Sequence, residues 1–166
     1  AGIGPARAEA ATPGTSTDLV VSTTIGACLG REDPDCATPW LAELKRRASG
    51  SFTHRYASGH VAFLRGDFAA AARALGQVGR SPLAPQALKP QAEALAAAAR
   101  ASAAATRGFV RRPVANGRFV IWVQPGPDEV LVPLLDGVLS RAAAVLTRAI
   151  GPLPTSPIAV HVYPKV

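Results

Sequence analysis

Apolar residues recur at three- and four-residue intervals through the first two thirds of the chain, then cluster as strands do. Phe52, Tyr56, Gly59 and Phe63 share one helical face, and Phe68, Ala71, Ala72, Leu75 and Val78 share another. Gly66-Asp67 separates the two: Gly66 suits a turn, Asp67 can cap the second helix, and Gly59 lets a neighbouring helix approach closely. Pro82 ends this unit. Upstream, TPWLAELKRRA predicts a short amphipathic helix ending near Gly50, with Thr38 as N-cap, Pro39 first in the helix, and Trp40, Leu41 and Leu44 as its apolar face. Residues 19–29, LVVSTTIGACL, read either as a short helix or as an extended segment. Downstream, PQALKPQAEALAAAARASAAATRGF predicts an Ala-rich helix that starts at Pro85 and kinks, or restarts near Pro90. It runs to about Thr106 and stops at Gly108, so residues 38–106 form a helical layer.

The pattern changes after Arg107. A polar bend at Asn116-Gly117 leads into Phe119-Val120-Ile121-Trp122-Val123, a strand apolar on both faces. Pro125, Gly126 and Pro127 end it, and Asp128 can cap the helix that follows. That helix carries a broad stripe that includes Leu131, Leu134, Leu135, Val138, Leu139, Val145, Leu146 and Ile150, and it ends at Gly151-Pro152. A last strand starts at Ile158. The order strand–helix–strand makes the two strands parallel neighbours. Both faces of the first strand ask for cover, and one helix covers only one face.

Composition modifies this picture in three ways. The apolar fraction of 48% overstates the core, because much of it is Ala and aromatic residues make up only 5%. The net charge is +7, mostly from Arg, since Lys45, Lys89 and Lys165 are the only lysines. The arginines are dispersed, apart from the pairs Arg46-Arg47 and Arg111-Arg112, and no basic run is interleaved with aromatics. Net charge alone therefore speaks for nucleic acid, and the pattern argues against it. The chain contains no Met, so we expect it to be processed or cut from something longer. Residues 1–18 read as a disordered leader or as the remnant of a signal peptide, with an A-x-A-like pattern at Ala8-Glu9-Ala10. No uninterrupted run reaches the roughly 18 apolar residues of a membrane span.

Cys28 and Cys36 are separated by a short polar loop that contains Gly30 and Pro34. They are candidates for a disulfide, which would fit an oxidising compartment; two free thiols are the alternative. No set of residues reads as an active site. His54 and His60 are six residues apart, which does not bring both rings to one face of a helix, and His161 stands alone on a strand. The carboxylates Glu32, Asp33 and Asp35 read as solvated loop charge. There is no HExxH, no G-x-S-x-G and no phosphate loop.

Two resemblances rest on these residues. Gly59, Gly66-Asp67-Phe68, Ala71 and Pro82 resemble the signature of a single tetratricopeptide repeat, although Arg55 and Ala62 depart from its Trp and Tyr positions. Residues 116–166 resemble the opening of a peptidase MA-like domain, a gluzincin-type zinc peptidase family. The matching residues are Phe119, Val120, Ile121 and Val123, the helix to Ile150-Gly151, then Pro157-Ile158, Val160 and Val162-Tyr163-Pro164. The combined expectation is an α+β chain: a tetratricopeptide-like helical layer over 19–107, then an incomplete β-α-β unit over 116–166. The resemblance implies the N-terminal part of a secreted or periplasmic zinc metallopeptidase-like protein. In that family the HExxH helix follows this region, so the chain itself would be non-catalytic and carry no cofactor, with zinc expected only in a complete parent. The alternative is a non-catalytic tetratricopeptide-like module that binds a protein or peptide partner through its helices.

Overall fold

A computed structural model describes residues 16–163. The A-x-A-like pattern, most of the expected leader and Pro164 lie outside the described residues. The fold is α+β, with a helical layer followed by a small mixed sheet.

Helix α1 (Ser16–Gly30) settles the open reading of 19–29 in favour of helix. Its inward positions Val21, Ile25 and Cys28 are buried against Leu44, Ala57 and Val61. Helix α2 (Pro34–Ala48) begins five residues earlier than the sequence suggests. Its cap is Asp33, whose carboxylate accepts from Cys36 N at 2.9 Å, and Pro34 takes the first helical position. A carboxylate cap followed at once by Pro is the stronger start signal. Thr38 is thus not a cap: it lies inside α2 and donates to the Pro34 carbonyl at 2.7 Å, and Pro39 is an internal proline.

Helices α3 (Phe52–Leu64) and α4 (Phe68–Arg80) form the helix-turn-helix. Ser51 caps the first by accepting from His54 N, and Asp67 caps the second by accepting from Ala70 N at 3.1 Å. Gly66, at φ +78°, makes the turn in a conformation that L side chains rarely adopt. Gly59 marks the closest approach of the two helices, since a Cβ there would lie 2.7 Å from Leu75 Cγ. Helix α5 (Lys89–Ala105) starts beside Pro90, as the restart reading has it, and packs on α4 through alanines. Leu75, Ala71, Ala96 and Ala99 are essentially fully buried there. Tyr56 Oη reaches from α3 to Gln91 Oε1 of α5 at 3.3 Å.

The sheet has three strands in the order β1 (Val110–Val114), β2 (Phe119–Val123) and β3 (Ile158–Val162). β2 and β3 are parallel, with Ile121 opposite Val160 and Trp122 opposite His161. β1, which the sequence pattern misses, pairs antiparallel with β2. Its sequence, VRRPV, hides it: two arginines and a proline mask the alternation, and Pro113 is tolerated because β1 is an edge strand. The Asn116-Gly117 bend is the turn of this hairpin, with Ala115 and Asn116 also at positive φ.

Helix α6 (Leu131–Ile150) covers one face of the sheet. A 3-10 turn, Pro127–Val130, precedes it with Gly126 at the cap position, so Asp128 lies within the turn rather than capping the helix. Val132, Leu135, Leu139 and Ala143 pack against Phe119, Ile121, Val123 and Val160. The Asp136 carboxylate accepts from Ala115 N at 2.6 Å and ties the helix to the hairpin turn. The rest of the expected apolar stripe faces outward: Leu134 is 63% exposed and Val145 60%. Pro127–Ile150, 24 residues, is long and apolar enough to cross a membrane by length and composition. A count of uninterrupted apolar residues misses this because Asp136 and Arg141 punctuate the run.

Candidate functional site

The features that the sequence scatters most widely meet at one place, the joint between the helical layer and the second face of the sheet. On that face the alternation of β2 and β3 presents Val120, Trp122, Ala159 and His161. The His161 ring stacks on Trp122, with centroids 6.1 Å apart and planes 5° from parallel. It also meets Phe68 at 5.4 Å and Tyr163 at 6.2 Å. Phe68 in turn packs edge-on against Phe63, at 5.7 Å. The turn at Gly66 lies directly against the imidazole, since a Cβ there would sit 3.2 Å from His161 Cε1. The α3–α4 turn therefore supplies the cover for the second sheet face that the strand–helix–strand pattern alone leaves missing. Val120 on this face is only 5% exposed.

A polar latch closes the same joint. Asp35, in the first turn of α2, accepts from Ser156 N at 3.2 Å and from the Ser156 hydroxyl. Arg65, at the end of α3, donates to Asp35 Oδ1 at 3.0 Å and to Thr38 Oγ1 at 2.9 Å. The Ser156 hydroxyl, ahead of the backbone amide and Arg65, holds the Asp35 carboxyl below its ordinary value. The Asp33 and Asp35 carboxylates are thus structural groups, not solvated loop charge. The latch adjoins a cleft of about 710 Å³ lined by residues such as Glu32, Asp35, Leu64, Arg65 and Leu153. A second opening of about 310 Å³, walled by Arg65, Arg111, Trp122 and Ser156, lies on its sheet side.

Cys28 and Cys36 form a disulfide in the structure, with Cα atoms 5.6 Å apart. The bridge joins the end of α1 to the first turn of α2, one residue from Asp35. It therefore fixes the segment that carries the latch. The repeat-signature residues divide by role. Gly59 and Ala71 lie in the helix-pair interior, Asp67 caps, Gly66 and Phe68 face the sheet, and Pro82 is exposed beyond α4.

The three histidines are not brought together. Burial lowers the pKa of all three; for His54, Lys45 and Arg55 add to the effect. His54 Nε2 lies 3.4 Å from Ser58 Oγ, one turn away on α3, but its charged neighbours are cations and no carboxylate orients the ring. That pair lacks the third group a nucleophile–base arrangement requires. Among the described residues, no group of three His, Cys, Asp or Glu is placed to hold a metal ion. The donor set of this region therefore does not fit a zinc centre. Sequence reasoning missed Asp35, Ser156 and Trp122–His161 as a unit. The only local signal is the Asp33-Pro34-Asp35 start of α2, because Ser156 lies 121 residues further along.

No protein-family model, no curated protein and no solved structure matches the chain. The tetratricopeptide-like and peptidase MA-like resemblances accordingly rest on their motif residues alone.

Proposed function

We propose that this chain is a non-catalytic scaffold: the N-terminal part of an exported zinc metallopeptidase-like protein of the peptidase MA-like type. One observation carries the reading. The parallel pair β2–β3, joined through α6, is held on its second face against α4 by the Phe68–His161 ring contact and against α2 by the Asp35–Ser156 latch. Such a joint fixes the orientation of a sheet relative to a helical brace, as a catalytic unit built onto that sheet would require. The disulfide beside the latch agrees with an oxidising, periplasmic or extracellular location. This region supplies position and no chemistry; zinc ligands and a general base would come from elsewhere in the parent protein.

The test is to read the parent coding sequence downstream of Val166 and assay the encoded protein on a peptide substrate with and without a chelator. The reading expects an HExxH with a later Glu, chelator-sensitive hydrolysis by the whole protein, and none by residues 1–166. A parent without that motif and without hydrolysis sinks it. The close-packed α3–α4 pair, stacked on α5, favours the second reading, a tetratricopeptide-like module for a protein or peptide partner. That outcome would then be the one to pursue.

A further inference from the structure

We propose that the outward face of α6 is a docking surface for an anionic membrane, with the helix lying in the plane of the lipid–water interface. This does not rest on the peptidase reading. Leu134, Val138 and Val145 are 63%, 42% and 60% exposed, and Ile150 at the end of the helix is 77% exposed. At helical spacing the first three share one side of α6, opposite the side that Leu139 and Ala143 press onto the sheet. From Leu134 to Val145 that stripe runs about 17 Å along the helix axis. Exposed apolar surface of such extent marks an interaction site.

Charge identifies the partner. Arg141 and Arg148 are seven residues apart on one flank of the stripe, and Arg118 of the hairpin turn borders the same groove as Arg148. That groove, about 500 Å³, is otherwise lined by Asn116, Ser140, Thr147 and alanines, with no carboxylate. Among the described residues these three arginines have no ion-pair partner, and the acid within α6, Asp136, is committed to Ala115 N. A two-fold contact with a second copy along α6 would bring the arginine flanks together with no acid to answer them. A spanning helix would have to leave the sheet and break the Asp136 tie. A bilayer surface satisfies both features at once: acyl chains take the apolar stripe and lipid phosphates take the arginines, the arrangement of an interfacial amphipathic helix.

Sedimentation of the 166-residue chain with extruded vesicles tests this, using phosphatidylcholine alone against an equal mixture with phosphatidylglycerol. The expected result is a partition at least about tenfold stronger onto the anionic vesicles, falling as salt is raised. The double variant L134E/V145E should abolish binding while keeping the wild-type circular dichroism, since both side chains are more than half exposed. Because that variant adds charge to an apolar face, R118Q/R148Q gives a second, gentler test. Each arginine removed should weaken anionic partition by about fivefold. Absence of vesicle binding, equal binding to neutral vesicles, or binding unchanged in these variants overturns the proposal. A concentration-dependent dimer that does not bind vesicles overturns it in favour of a second copy.

Discussion

Replacing Gly59 with Ala should destabilise the fold, although the same change raises helix propensity. Two terms oppose each other. Ala gains about 1 kcal/mol over Gly inside a helix. Against this, the new Cβ would sit 2.7 Å from Leu75 Cγ and 3.2 Å from Ala74 Cβ and Leu75 Cδ2. Leu75 is fully buried, and the nearest atom is its branch carbon rather than a flexible tip. It cannot swing away, so α3 and α4 must separate. Overpacking of this kind costs about 1–3 kcal/mol. The net expectation is a loss of about 1 kcal/mol, or a drop in Tm of about 2–4 °C for a chain of this size. Gly26 supplies the control, because it is exposed on α1 and its Cβ would meet nothing within 4 Å. Gly26→Ala should stabilise by about 0.5–1 kcal/mol. The propensity gain is common to both variants, so the gap between them, about 1–3 kcal/mol, reads the packing cost directly. Urea unfolding followed by far-ultraviolet circular dichroism gives both values. If Gly59→Ala proves as stable as Gly26→Ala, the close approach of α3 and α4 is wrong, and with it the repeat-like geometry.

Three other outcomes follow from the joint. Reducing the Cys28–Cys36 bridge, or replacing both residues with Ser, should cost about 2–3 kcal/mol, because it frees a short loop in the unfolded chain; an unchanged urea midpoint in the reduced protein would count against the bridge. D35N and S156A, measured singly and together, should show a coupling of about 1 kcal/mol or more, as expected for a hydrogen bond to a charged group, whereas strict additivity would mean that the latch does not form. Burial lowers the pKa of His54, His60 and His161 from 6.5, so their contribution is fully present above pH 6.5 and is lost as pH falls from there through their folded values. Imidazole titration by NMR should place His161 below 6.5, and a value at or above it would contradict the buried stack.

Local chemistry made the helical layer legible. The spacing of Phe52, Tyr56, Gly59 and Phe63, the Gly66-Asp67 turn and the stop at Gly108 each act over a few residues, and each appears in the structure where the pattern puts it. Errors came where two local signals competed. Thr38-Pro39 reads as the start of α2, but Asp33-Pro34 offers the same cap-and-proline pair with a carboxylate, and the structure starts the helix there. β1 was illegible for a different reason. Its arginines are edge residues, one of them paired with Glu129, so the usual alternation of a half-buried strand is missing. The joint could not be read locally at all. Asp35 and Ser156, or Gly66 and His161, become neighbours only through the tertiary fold.

That non-local joint explains the choice of residues on β3. A strand with the alternation Ile158, Val160, Val162 needs only one apolar face, which α6 provides. Its other face carries Ala159, His161 and Tyr163, a small residue and two rings. Ala159 leaves room for the α3–α4 turn, and the flat imidazole fits between Trp122, Phe68 and the bare backbone of Gly66. A Cβ at Gly66 would press on that ring, so this glycine serves the turn and the joint at once. The two parts consequently share a buried face. A chain cut after Gly108 would leave Val120 and Trp122 uncovered on one side and Phe63 and Phe68 on the other. Exposing those side chains to water on both pieces forfeits the apolar burial that the joint supplies. The sheet's buried core is shared with α6, and the helical layer adds partial cover over its second face through Gly66 and Phe68.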